Sequence, residues 1–150
     1  MGKFNNINID NNMSKHSVFL NKFIWLFIAI NGAVFVGLSA YASHAPELNN
    51  SPYLLSVYQK ASLQHILHLV VLLTLAVGQF IVVSRWLMVS MTFFITGIIL
   101  FSYTLYLFSF TGVKIAAFLT PIGGVCFILG WLSLAGLAWH VKRSGEHINE

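Results

Sequence analysis

Apolar positions in this chain do not alternate and do not keep to one helical stripe; they run together between widely spaced charges. Charged side chains stand at Lys3, Asp10, Lys15, Lys22, Glu47, Lys60, Arg85, Lys114, Lys142, Arg143, Glu146 and Glu150, which leaves four long uncharged stretches, 23–46, 61–84, 86–113 and 115–141. A helix rising about 1.5 Å per residue crosses a hydrocarbon core in about 20 residues, so each stretch is long enough. Backbone groups in lipid must bond within their own segment, which makes these stretches helices. A membrane β-barrel needs segments of about ten residues alternating in polarity; the runs at 69–73 (LVVLL) and 93–95 (FFI) do not alternate. The pattern predicts an all-α integral membrane bundle of four transmembrane helices near residues 20–42, 63–83, 86–109 and 115–139.

The flanks read differently. Residues 1–18 are Asn-rich without helical periodicity and predict a flexible tail; Met13 offers an alternative start. Residues 19–141 form the membrane domain and 142–150 a short cytoplasmic tail. Gly2 does not fit the myristoylation pattern, because position 6 is Asn. The Ala40-Tyr41-Ala42 triplet resembles a signal-peptidase site, but the apolar run before it exceeds the usual signal core of about 7–15 residues, so the first span is expected to be retained. In the loop at 43–62, Ser51-Pro52 suits an N-cap and first helical position. Tyr53, Leu54, Val57, Tyr58 and Ala61 then share one face, which suits a short interfacial helix or the first turns of the second span.

With four spans, both termini share one side. That side holds Lys3, Lys15, Lys22, Arg85, Lys142 and Arg143, whereas the other holds Lys60 and Lys114. The positive-inside rule predicts cytoplasmic termini. Trp25, Trp86 and Trp139 fall at the inner ends and all five tyrosines in the outer half or outer loop.

Composition narrows the function. Hydrophobic residues make up 57% and charged residues 8% of the chain, against about 25% charged in a soluble domain, so a water-soluble enzyme is excluded. Eight Lys and Arg, scattered, make no phosphate-tracking patch, so no nucleic-acid partner is expected. Cys126 stands alone and forms no intrachain disulfide. No Asp or Glu lies inside a span, which argues against carboxylate-driven proton exchange.

The polar residues inside the spans are the candidates for chemistry. Asn31, near the middle of span 1, needs a hydrogen-bonding partner on another helix. Ala29, Ala33 and Gly37 recur every four residues and suit a helix–helix seam. Gln64, His65 and His68 open the predicted span 2, and His44 closes span 1; the imidazoles suit backbone or water hydrogen bonds, with metal or haem ligation as the alternative. Ser102, Tyr103, Thr104 and Tyr106 suit bonds back to their own helix or across to a neighbour. Thr120, Pro121, Gly123 and Gly124 open span 4, where proline frees a carbonyl and the glycines admit a neighbouring backbone; Gly130 extends that small face. Tyr41, His44, His65, His68, Ser102, Tyr106, Thr120 and Pro121 are expected at similar depth, as one polar cluster near the outer surface.

The stretch 118–131 (FLTPIGGVCFILGW), together with 100–106 (LFSYTLY), 39–44 (SAYASH) and His68, resembles the domain-of-unknown-function 423 family (UPF0382 type) of small bacterial inner-membrane proteins. The likeness covers roughly residues 20–143. Ser39 and Ala42 stand where that family has glycines, Gln64-His65 where it often has Tyr-Gln, and the Asn-rich tail looks additional. The resemblance implies a four-span inner-membrane fold and supplies no substrate or catalytic residue. The expected function is a non-enzymatic accessory or structural membrane component, in the lipid bilayer and with a homo-oligomer or membrane-complex partner, without cofactor or metal. The alternatives are a dimeric transporter or channel for a small solute, and a histidine-ligated metal or haem protein.

Overall fold

The computed structural model describes residues 3–82, 84–114 and 118–146, with side chains for 21–82, 84–114 and 118–138. Among these residues every regular element is helical. In chain order they are α1 (Lys3–Ala42), the short α2 (Pro46–Asn49), α3 (Pro52–Gly78), α4 (Arg85–Gly97), a wide π-helical segment (Ile98–Tyr103), α5 (Thr104–Thr111) and α6 (Leu119–Glu146). Four stretches are long and apolar enough to cross a membrane: Asn21–Ala42, Pro52–Gly78, Arg85–Thr111 and Leu119–Ala138. The third joins α4, the π segment and α5 into one continuous rod.

The edges differ from the sequence expectation for physical reasons. Helix α1 begins at Lys3, so most of the Asn-rich stretch 1–18 carries helical backbone. Extending a formed helix costs little per residue, because only the first turn pays the nucleation cost. The second span starts at Pro52, since the Ser51 hydroxyl accepts the Leu54 N–H at 3.3 Å and proline occupies the first turn. The amphipathic stretch 52–62 is thus the opening of α3, and its Tyr58 and Ala61 are buried against Tyr106. Helix α3 ends at Gly78, short of residue 83. Ser84 caps α4 by accepting the Trp86 N–H at 3.3 Å. Gly112, at φ 69°, closes α5 in the left-handed conformation, its N–H donating to the Phe108 carbonyl.

Helices α4 and α6 form the most extensive pair, α3 lies against α5 and the π segment, and α1 packs chiefly on α3. Lipid tails are as apolar as the side chains, so close packing rather than water exclusion must hold these helices. Two buried clusters result. One is wholly apolar: Ile24, Ile28, Leu69, Leu72, Ala76, Leu87, Met91, Phe94, Ile98 and Phe127. The other, at the end where α2 folds under, joins Ala42, Ala45, Leu48, Tyr58, Ala61 and Tyr106. The Ser90 hydroxyl donates to the Gly130 carbonyl at 2.7 Å and pins α4 to α6, while Ser133 donates to the same carbonyl at 2.8 Å from within α6.

Candidate functional site

The polar side chains of the spans gather around α3, and their grouping follows from where that helix begins. Because α3 starts at Pro52, His65 and His68 fall near the middle of a 27-residue helix, not at its mouth. Both are buried, at 0% and 3% exposure. A polar group at that depth must be satisfied inside the bundle, since the surrounding lipid offers no partner.

His68 has found protein partners. Its Nδ1 lies 2.8 Å from the Gln64 carbonyl, which requires Nδ1–H as donor. Nε2 is then the acceptor, and the Trp131 indole N–H donates to it at 3.3 Å. The ring stacks on Phe127 at 3.6 Å and 8°, with Phe94 at 5.4 Å. With both nitrogens engaged, this imidazole joins α3 to α6. It borders a groove of about 340 Å³ between those helices, lined also by Gln64, Phe101, Gly124 and Trp131.

His65 faces other neighbours. Phe35, Tyr103 and Tyr106 each place a ring centroid 5.8 Å from its own. Its Nδ1 is 3.3 Å from the Tyr106 hydroxyl, whereas its Nε2 has no protein partner. One turn along α1, Asn31 is buried and links two helices. Its Oδ1 accepts the Tyr103 hydroxyl at 2.9 Å and its Nδ2 donates to the Phe27 carbonyl at 2.8 Å. Toward the α2 end, the Tyr58 ring lies 5.6 Å from Tyr106, and its hydroxyl donates to Ser39 Oγ at 3.5 Å. Asn31, Tyr103, His65, Tyr106, Tyr58 and Ser39 thus form a polar column along the seam of α1, α3 and the third span.

The eight residues expected to cluster are distributed over several surroundings. His65 and Tyr106 are buried in the column, and Ser102 is buried in the π segment, next in sequence to Tyr103. His68 belongs to the aromatic group on α6. Thr120 shares a 2.8 Å hydrogen bond with Thr104, while Pro121, His44 and Tyr41 are exposed, Tyr41 resting edge-on against Phe110 at 5.3 Å. The three imidazoles therefore have three separate environments. Among the described residues no three His, Cys, Asp or Glu side chains approach closely enough to hold a metal ion.

The small residues divide as well. A Cβ at Gly123 would stand 2.5 Å from the Phe101 backbone nitrogen, and one at Gly130 would meet the Phe94 ring at 2.7 Å. Both glycines are required by close approach of α6 to the third span. At Gly124 the nearest atom would be 3.8 Å away, so that position only lines the groove. Ala29, Ala33 and Gly37 are exposed, and nothing lies within 4 Å of a Cβ at Gly37. That stripe faces out of the bundle.

Tyr58, Phe127 and Trp131 were not candidates for chemistry in the sequence, where Tyr58 was read only as part of an apolar face. One signal did exist for Tyr103: a buried amide on span 1 needs a long donor at matching depth, and span 3 offers only the tyrosines at 103 and 106.

The chain matches the family model described as "Protein of unknown function (DUF423)" over residues 38–124. It is 32% identical over 125 residues to the UPF0382 inner membrane protein YgdD of Escherichia coli strain K12, covering 83% of this chain and 95% of that protein. It is 36% identical over 108 residues to a UPF0382 membrane protein of Staphylococcus saprophyticus, covering 71% of this chain and 88% of the relative. No solved structure matches. Four membrane-length helices and this extent of identity lead to one assignment: the chain belongs to the DUF423 family of membrane proteins.

Proposed function

We propose that the protein is a non-enzymatic multi-pass component of the inner membrane that works by helix packing, with its first span docking against a second copy of the chain. The observation that carries this reading is the uneven enclosure of the spans. Only 11% of the first span's most apolar window is buried within the chain, against 39%, 33% and 28% for the others. The open side carries Ala29, Ala33 and Gly37, a spacing that lets two backbones approach closely. A stripe of this kind is self-complementary under two-fold symmetry, which favours a second copy as the occupant. The side chains capable of chemistry are largely engaged in holding helices together, as His68, Asn31 and Ser90 illustrate. The charge distribution supports cytoplasmic termini.

The test is oligomeric state. The full chain in lipid nanodiscs or mild detergent is expected to be dimeric by native mass spectrometry, and Ala33→Leu or Gly37→Leu is expected to yield monomer without loss of helicity. A monomeric parent chain, a dimer indifferent to both substitutions, or co-purification with a different membrane protein in its place overturns the reading.

A further inference from the structure

Two buried polar atoms among the described residues have no protein hydrogen-bond partner: His65 Nε2 and Ser102 Oγ. Both residues are at 0% exposure. Leaving such groups unpaired in a low-dielectric interior is costly, and native structures rarely do so. The other buried serines show the usual solution. Ser90 and Ser133 donate to the Gly130 carbonyl, and Ser109 donates to the Tyr106 carbonyl at 2.8 Å. Ser102 differs: it sits in the π segment, and no carbonyl of that turn accepts its hydroxyl. The Thr104 hydroxyl lies at 2.7 and 3.0 Å from the Leu100 and Phe101 carbonyls in that turn.

Both atoms belong to the stretch where α3 packs on the π segment and α5. Ser102 adjoins Tyr103 and is one turn from Tyr106, and the rings of both tyrosines stand 5.8 Å from that of His65. The tautomer is open: the Tyr106 hydroxyl either donates to Nδ1 or accepts from it, so Nε2 is correspondingly a donor or an acceptor. The Ser102 hydroxyl can also play either part. A guest that satisfies both must offer donors and acceptors together. It must be neutral, because no Asp, Glu, Lys or Arg lies within residues 61–84 or 86–113 to balance a charge. It must also be small, because Phe35, Tyr103 and Tyr106 close around the imidazole.

We propose that His65 Nε2 and Ser102 Oγ together bind a water molecule inside the bundle, at the wide turn. This site completes the polar column, and the water exchanges with solvent along the Tyr106, Tyr58 and Ser39 end. At the opposite end the column stops on the packed apolar cluster of Ile24, Ile28, Leu72, Met91, Phe94 and Ile98, so hydration reaches the middle of the bundle from one side. The proposal does not depend on dimerisation, since all the residues belong to one chain.

The experiment uses the full chain, ¹⁵N-labelled at histidine, in lipid nanodiscs. Magnetisation is transferred from water to the imidazole nitrogens by solid-state NMR, and His65→Phe identifies the His65 resonance by its loss. A water transfer peak at His65 Nε2 that shifts or weakens in Ser102→Ala supports the site. Absence of transfer to His65 in the parent chain overturns it, as does a peak that Ser102→Ala leaves unchanged. Thermal unfolding supplies an independent reading. Deleting a hydrated hydroxyl lowers the midpoint, and Ser102→Ala combined with His65→Phe then lowers it less than the two single effects together. A midpoint raised by Ser102→Ala, or strict additivity, marks the hydroxyl as an uncoupled orphan and overturns the proposal. A monomeric protein that retains the water peak separates this result from failure of the dimer reading.

Discussion

Adjacent glycines in α6 are expected to respond to the same substitution with opposite sign. A methyl group at Gly123 would be driven against backbone, 2.5 Å from the Phe101 nitrogen and 2.8 Å from the Leu100 carbonyl carbon, while one at Gly124 meets only the edge of the Phe101 ring at 3.8 Å. Favourable carbon contacts begin near about 3.5 Å, so Gly123→Ala must move α6 away from the π segment by roughly 1 Å. Backbone on both sides cannot swing aside as a flexible side chain would. The displacement also stretches the 2.8 Å Thr104–Thr120 bond, one turn toward the start of α6. Overpacking of this kind costs about 1–3 kcal/mol, offset by up to about 1 kcal/mol from the better helix propensity of alanine. The net expectation for Gly123→Ala, with the propensity gain in full, is a loss of up to about 2 kcal/mol. Gly124→Ala keeps the propensity gain and gives up nothing, so it is expected to be neutral or stabilising by as much as about 1 kcal/mol. Reversible unfolding of the two variants in mixed micelles, followed by circular dichroism, measures the difference. Equal stabilities, or Gly123→Ala above Gly124→Ala, would refute the close approach of α6 to the third span.

Two further outcomes follow from the column and from the charge pattern. In a double-mutant cycle of Asn31→Leu with Tyr103→Phe, the hydroxyl–amide bond is expected to give a coupling energy of about 0.6 kcal/mol and no more than about 1.7 kcal/mol, the average and the upper end for hydrogen bonds between membrane helices; zero coupling would show that the two residues do not meet. Reporter fusions at the two ends of the chain are expected to report the cytoplasm together, and signals from opposite faces would reject the four-span orientation.

Charge gaps made the spans legible because lipid imposes one demand, an uncharged helix of sufficient length, that can be counted residue by residue. The start of α3 was less legible. Lys60 reads as an end to the uncharged stretch, yet it lies on the exposed side of a helix whose other face buries Val57, Tyr58 and Ala61. The π segment was not legible either. It lies where Gly123 brings α6 against the Leu100–Phe101 backbone, a contact between residues more than 20 positions apart. Asn31 shows the intermediate case: its need for a partner was plain from its type and depth, but only the fold chooses Tyr103 over Tyr106. His65 and His68 share sequence spacing and type, and spacing alone placed them on one face. In the bundle three residues turn the helix far enough that one imidazole meets α1 and the third span, while the other meets α4 and α6.

That difference between the two histidines bears on what one copy of the chain can do. His68 is closed on both nitrogens and stacked on Phe127, so it joins helices and offers nothing to a guest. His65 keeps one nitrogen free within a column that leads toward the α2 end. Beyond Asn31 the column meets ten buried apolar residues contributed by α1, α3, α4, the π segment and α6. Unless that cluster opens, a polar solute crossing the full thickness within one copy would have to pass it without hydrogen bonds, at a cost of several kcal/mol for each group stripped of water. The apolar cluster thus supports the packing role proposed above over passage through a single copy. If solute does move, its route lies along the open side of α1, where Ala29, Ala33 and Gly37 would face the second copy, and Gly37→Leu should then stop flux and dimerisation together.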